Sequence, residues 1–343
     1  MEHRPISHAQ AEPLARLRGW PRWPWLLIAA VAAIDLVWLA VAPAQLTAAS
    51  WRTIAMLVPI ILAALYCARR FRDREIVYVL CAGIAFLLAA WPVLRLFNHL
   101  TMSTALPWAD PALSRMDGLL GFDWFAYIAW LDSQPWLLKL MGACYTGLDR
   151  YSVFFFALLA CAAGRRTSCF ELIGLFVISA VLCSAIGMAF PAQAAMAYYA
   201  PDLTGMDYVH AAVGTYHIEH LERLRGATAP ILDLGNLPGL VTFPSFHTAM
   251  GIILIYVCRR SRPLFAASLA INVTMIAATP LFGSHYVIDL IGGVIAALVS
   301  IAIFAKLQKL EAGGRAAAAG FDWPEALAGD RAPAPLDPKR LWR

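Results

Sequence analysis

Stretches of roughly 20 apolar residues recur along this chain, and each is long enough to cross about 30 Å of hydrocarbon at about 1.5 Å per residue. No water is available in that medium to complete backbone hydrogen bonds, so a chain built of such stretches folds as transmembrane helices. About eight of them can be read, at 25–44, 53–68, 76–97, 136–163, 168–190, 244–258, 264–282 and 285–306. The expected fold is therefore an all-α polytopic membrane protein. Composition excludes the soluble alternative: 61% of the 343 residues are hydrophobic and 14% charged, where an ordinary soluble domain is about a quarter charged.

The basic residues sit between the apolar runs. Arg16, Arg18 and Arg22 precede the first, Arg69, Arg70, Arg72 and Arg74 follow the second, and Arg165 and Arg166 follow the fourth. Arg259, Arg260 and Arg262 follow the sixth, and Lys306 and Lys309 the eighth. Short cytoplasmic loops accumulate Lys and Arg, and eight spans put every cluster on one side. Both termini are then expected in the cytoplasm, with the starts of the sixth and eighth spans facing the other compartment. The net charge of +5 is spent on topology and lipid headgroups, which excludes a nucleic-acid groove. The seven cysteines lie in or beside apolar runs without a Cys-x-x-Cys, so neither a disulfide framework nor a zinc knuckle is indicated. The first apolar run lacks a small-residue cleavage site and reads as a retained span.

This pattern divides the chain into a cytoplasmic segment at 1–24, N-terminal spans at 25–97, a catalytic membrane region at 98–310 and a disordered tail at 311–343. Within the catalytic region, 106–130 mixes aromatic residues with Asp110, Asp117 and Asp123, which suits short helices in the headgroup zone. The polar, Pro- and Gly-punctuated stretch 191–240 is expected to cap the site.

Two segments carry chemistry: Pro-Ser-Phe-His at 244–247 and His-Tyr-Val-Ile-Asp at 285–289. One membrane hairpin separates them, so both histidines should lie at the same face of the bilayer. On a helix, Asp289 stands one turn from His285 and can accept a hydrogen bond from its ring, which leaves the other nitrogen free to attack phosphorus. The same pair can also simply join two helices. With Pro244 at a first helical position, Ser245 and Phe246 would offer free N–H groups to phosphate oxygens. The sixth run is only about 22 Å long as a helix, so His247 should sit in a recess, placed to protonate a departing oxygen.

Phosphoryl transfer also needs positive charge around the equatorial oxygens. Arg225 is the first candidate, and Arg150, beside Asp149 inside the fourth span, is the second; each has a purely structural reading, as headgroup anchor or buried ion pair. Asp35 in the first span reads as structural. His217 and His220, spaced i, i+3 near His210, Glu219 and Glu222, could share a metal, but a solvated amphipathic turn explains them equally well and no third ligand stands at a metal-site spacing.

The segment 243–249 (FPSFHTA) and the segment 285–293 (HYVIDLIGG) resemble the second and third signature motifs of the type-2 phosphatidic acid phosphatase superfamily. The form His-Tyr-x-x-Asp-x-x-Gly-Gly and the segment 119–124 (LLGFDW) look most like the branch that contains inositol phosphorylceramide synthases and related bacterial membrane proteins. The resemblance implies a six-helix catalytic bundle, a phosphohistidine on His285 oriented by Asp289, His247 as acid and then base, no metal or other cofactor, and a site on the non-cytoplasmic side of a bacterial inner membrane. Its partners would be a lipid phosphoester and either water or an alcohol. The family's first motif has no clear counterpart here, and Thr279 stands where an Arg usually precedes the third-motif histidine. Three outcomes stay open: transfer of a phospho-headgroup to an alcohol, hydrolysis of a lipid phosphate, and phosphate binding without cleavage in a lipid carrier or flippase.

Overall fold

The computed structural model describes residues 21–42, 44–161, 166–210 and 213–319. In chain order they form α1 (Trp23–Val41), the two-residue strand β1 (Gln45–Leu46), α2 (Ala48–Arg70), α3 (Glu75–Met102), α4 (Asp110–Leu119), α5 (Trp124–Asp132), α6 (Pro135–Thr146) and α7 (Leu148–Cys161). There follow α8 (Arg166–Ala189), α9 (Ala195–Tyr199), α10 (Ile218–Gly226), β2 (Ile231–Leu232), α11 (Phe246–Cys258), α12 (Arg262–Phe282) and α13 (Val287–Ala319). The protein is an all-α polytopic membrane protein; β1 and β2 merely pair in parallel, Gln45 with Ile231 and Leu46 with Leu232.

Among the described residues, six helices are long and apolar enough to span a bilayer: α1, α2, α3, α8, α12 and α13. Their outward faces carry Leu36, Val37, Met56, Ile60 and Ile295, all exposed, as expected where lipid rather than water is the solvent. Two of the eight expected spans take another form. The fourth is two helices, α6 and α7, meeting at Gly147, where a Cβ would stand 2.7 Å from the Ala143 carbonyl oxygen. The sixth, α11, has 13 residues, or about 20 Å. Both interruptions fall beside the histidine motifs, where backbone irregularity is tolerated because it borders a cavity.

The interior of the bundle is built on α3, α8 and α11, with α12 against α6 and α11. At the end of α11 opposite His247, the Glu171 carboxylate of α8 accepts from Arg259 and Arg260 at 2.9–3.0 Å. These two arginines, which read as topology signals, also fasten α11 to α8. The last helix runs to Ala319, past the expected end at Lys306. By its contacts the chain divides after Phe304, and from Ala305 onward only this helical continuation is described. The N-terminal segment to residue 20 and the tail from 320 lie outside the described residues.

Candidate active site

Ser245 is the N-cap of α11: its hydroxyl accepts from the Thr248 amide at 3.3 Å and from the Thr248 hydroxyl at 3.1 Å. The remaining Ser245 hydrogen is donated to Nε2 of His285, 3.3 Å away. On the far side of that ring, Nδ1 lies 3.1 Å from Oδ2 of Asp289. The same Oδ2 accepts the Tyr286 amide at 3.0 Å and so meets the ring as an acceptor, which assigns the proton to Nδ1 and the lone pair to Nε2. His285 and Asp289 are both buried, at 3% and 0% exposure, so bulk water does not compete for these bonds.

The position of Ser245 differs from the sequence expectation. Pro244 precedes the helix instead of opening it, and the Ser245 amide is already committed to the Asp289 carbonyl oxygen at 3.0 Å. Ser245 therefore orients His285 and ties α11 to α13; its amide is not free for phosphate. The paired glycines Gly292 and Gly293 of α13 explain how the helices come so close. A Cβ on Gly293 would stand 2.5 Å from the Ser245 carbonyl oxygen and 2.7 Å from Thr248 Cβ, and one on Gly292 would meet Phe243 at 2.9 Å.

The loop carrying His285 is braced from the segment 106–130. Asp117 accepts from the Val287 and Ile288 amides, each at 2.8 Å, and so caps the first turn of α13. Asp110 accepts from the Gln193 and Ala194 amides at 2.9 and 3.1 Å and from the Tyr286 hydroxyl at 3.0 Å. Ser284 sits at φ +55, with its hydroxyl oxygen taking the Met196 amide at 2.6 Å and its carbonyl oxygen the Ala195 amide at 2.8 Å. Asp110 and Asp117 are buried, and through these bonds this part of the segment holds the loop that carries His285. Their spacing of seven, which puts both on one helix face, was the signal available in the sequence.

His247 and His285 line one cavity of about 550 Å³, bounded by α3, α7, α8, the segment before α11, and α11 itself. His247 packs flat on Tyr145, ring centroids 4.4 Å apart and planes within 12°, which fixes the orientation of its imidazole. His217 borders the same cavity and is 3% exposed, not on a solvated turn. Burial, and then the nearby His285, hold the His217 ring near pKa 4 against the opposing Gln193 carbonyl, so it is neutral at physiological pH.

Neither arginine proposed from the sequence lines this cavity. Arg225 lies over the Trp108 ring, 3.6 Å from its centroid, and donates to the Leu106 carbonyl, which anchors α10 to the loop before α4. Arg150 is exposed on α7. The cation that does line the cavity is Arg95 of α3, which rests over Trp91 and donates to the Leu237 carbonyl oxygen. A charge in the third apolar run was its sequence signal, since such residues rarely sit in a span without facing a cavity or partner.

The family model of the PAP2 superfamily matches residues 111–303, more than half of the chain. The chain belongs to the PAP2 superfamily. The match begins in α4, ahead of the bracing Asp117, and ends in α13, so it takes in both histidine motifs and leaves α1 to α3 outside. Membership of the PAP2 superfamily supports activity of the lipid phosphatase or phosphotransferase type. Among curated proteins and solved structures, no match is found.

Proposed function

We propose that this chain is a membrane phosphotransferase that cleaves a lipid phosphoester through a phosphohistidine on His285 and passes the phospho-headgroup to an alcohol. The observation that carries this reading is the chain of bonds Asp289–His285–Ser245 at the wall of a cavity that His247 also lines. Asp289 keeps the proton on Nδ1, so the Nε2 lone pair attacks phosphorus once the ring turns from the Ser245 hydroxyl to the substrate. The P–O bond to the lipid alcohol breaks, and His247 gives that oxygen a proton. In the second half His247 takes the proton of the incoming alcohol, whose oxygen attacks phosphorus, and the P–N pair returns to His285. Arg95 balances charge on the non-bridging oxygens. No step requires a metal.

The superfamily match is equally compatible with water as the acceptor. The His-Tyr-x-x-Asp-x-x-Gly-Gly motif, which resembles that of the inositol phosphorylceramide synthase branch, favours an alcohol. The arginine clusters support cytoplasmic termini, with the cavity at the other face of a bacterial inner membrane. Purified protein incubated with radiolabelled phospholipid, with and without candidate alcohols, decides the acceptor. A new labelled product that requires the alcohol supports transfer, whereas free phosphate or free phospho-headgroup, unchanged by added alcohol, rejects it.

A further inference from the structure

A second cavity, of about 420 Å³, adjoins the first, and the two share Tyr145, Leu148, Asp149, Tyr216 and His247 in their walls. Asp149 is the charged residue at this junction. It lies at the start of α7, just after the break at Gly147, and so well inside the fourth apolar run. No ion pair or hydrogen bond to its carboxylate occurs among the described residues; its neighbour Arg150 lines neither cavity. A carboxylate within a span is costly unless it faces a cavity and meets a partner there. Here Asp149 is open to both cavities, and among the described residues Arg95 is the one Lys or Arg that lines either of them.

Charge is therefore divided across the site. Arg95 lines the first cavity, and among the described lining residues of the second there is no Lys or Arg to offset Asp149. A phosphomonoester dianion placed between them would set two negative charges beside the carboxylate, with Arg95 and the proton on His247 to offset three. A phosphodiester bearing an ammonium group would meet both charges, its phosphate towards Arg95 and the histidines and its ammonium towards Asp149. The aromatic rings of Tyr216 and Phe282 border the second cavity and favour a cation over an anion.

We propose that the second cavity is the headgroup site and that Asp149 selects a zwitterionic phosphodiester lipid, one whose headgroup carries an ammonium. The proposal rests on the phosphotransferase reading and adds the donor class to it. It can be tested by binding, so that a failure of catalysis and a failure of selectivity are told apart. Short-chain phosphatidylethanolamine, phosphatidylglycerol and phosphatidic acid with identical tails are titrated into the full-length protein in detergent. Phosphatidylethanolamine should bind about tenfold more tightly than the other two, or better, as expected of a close charge pair. In Asp149→Asn the ratio should collapse towards one, and Asp149→Glu should keep its direction. Equal or tighter binding of phosphatidylglycerol or phosphatidic acid by the wild-type protein overturns the proposal whether or not the variants fold, and so does an unchanged ratio in a folded Asp149→Asn. Turnover of the same lipids bears separately on the phosphotransferase reading.

Discussion

Gly293→Ala is the change whose consequence can be worked most directly from the geometry. The added methyl would stand 2.5 Å from the Ser245 carbonyl oxygen and 2.7 Å from Thr248 Cβ. Both belong to the capped first turn of α11, which is held by hydrogen bonds and cannot swing aside as a flexible side chain would. Even a tight contact of about 3 Å requires α13 to withdraw from α11 by about 0.5 Å. The bond between Ser245 and His285 would then lengthen from 3.3 Å to about 3.8 Å, beyond hydrogen-bond range. A displacement of about 1 Å at a reacting group costs about a hundredfold in rate, so half of that should cost between about 10-fold and 100-fold in kcat. The loss should appear in kcat rather than KM, because the cavity walls that hold the lipid are unchanged. Steady-state turnover of a labelled phospholipid, with the thermal midpoint in detergent as a control for folding, measures this. Gly118→Ala, where an added Cβ meets nothing within 4 Å, should behave as wild type. A folded Gly293→Ala with kcat within about twofold of wild type would refute the argument that α11 and α13 must touch to align His285.

Other perturbations separate the roles of the remaining residues. His285→Ala and His247→Ala should each abolish turnover in protein that remains folded by thermal melting; Asp289→Asn should lower kcat more than it changes KM, and the opposite split would count against its proposed role on the His285 ring. Asp117→Ala removes the cap on α13 and should lower stability by about 1 kcal/mol or more together with kcat, as read by melting and turnover on one preparation; loss of neither contradicts the bracing role. His217 is held near pKa 4, below the ordinary imidazole value of 6.5. Its burial therefore costs nothing above pH 6.5, and stability falls as pH drops from 6.5 towards 4, by at most about 3 kcal/mol. His217→Asn should flatten that part of the melting curve against pH, and superimposable curves would contradict it.

The all-α membrane architecture was legible in the apolar runs because lipid leaves the backbone no other solution. The contact of His285 with Asp289 was legible in their spacing of four, although His285 stands in the loop before α13 and not on the helix itself. What local patterns did not reveal were the bonds made by residues distant in sequence. Ser245 read as a phosphate donor because a helix start offers free amides, yet its amide is taken by the Asp289 carbonyl oxygen on another helix. Arg225 lies close to the motif in sequence, but Trp108 and the Leu106 carbonyl hold it away from the cavity. The partners in the bracing bonds of Asp110 and Asp117 left no local trace, because the amides that the two carboxylates satisfy lie about 80 and 170 residues further on. The division of the fourth run at Gly147, which places Asp149 at a junction of cavities, leaves as its trace a glycine beside the polar Thr146, Asp149 and Arg150, a pattern that an unbroken span with a buried ion pair would also show.

The central claim is that His285 becomes covalently phosphorylated by a lipid donor, and it is tested most directly by trapping that species. The protein is mixed with donor lipid labelled at phosphorus, quenched in denaturant at alkaline pH where phosphoramidates survive, and mapped by mass spectrometry. A modification of His285 carrying the phospho-headgroup, strengthened when the acceptor alcohol is left out and missing from His285→Ala, is the predicted result. Undiminished turnover with no modified His285 at any quench time, or the label on another residue, would contradict it.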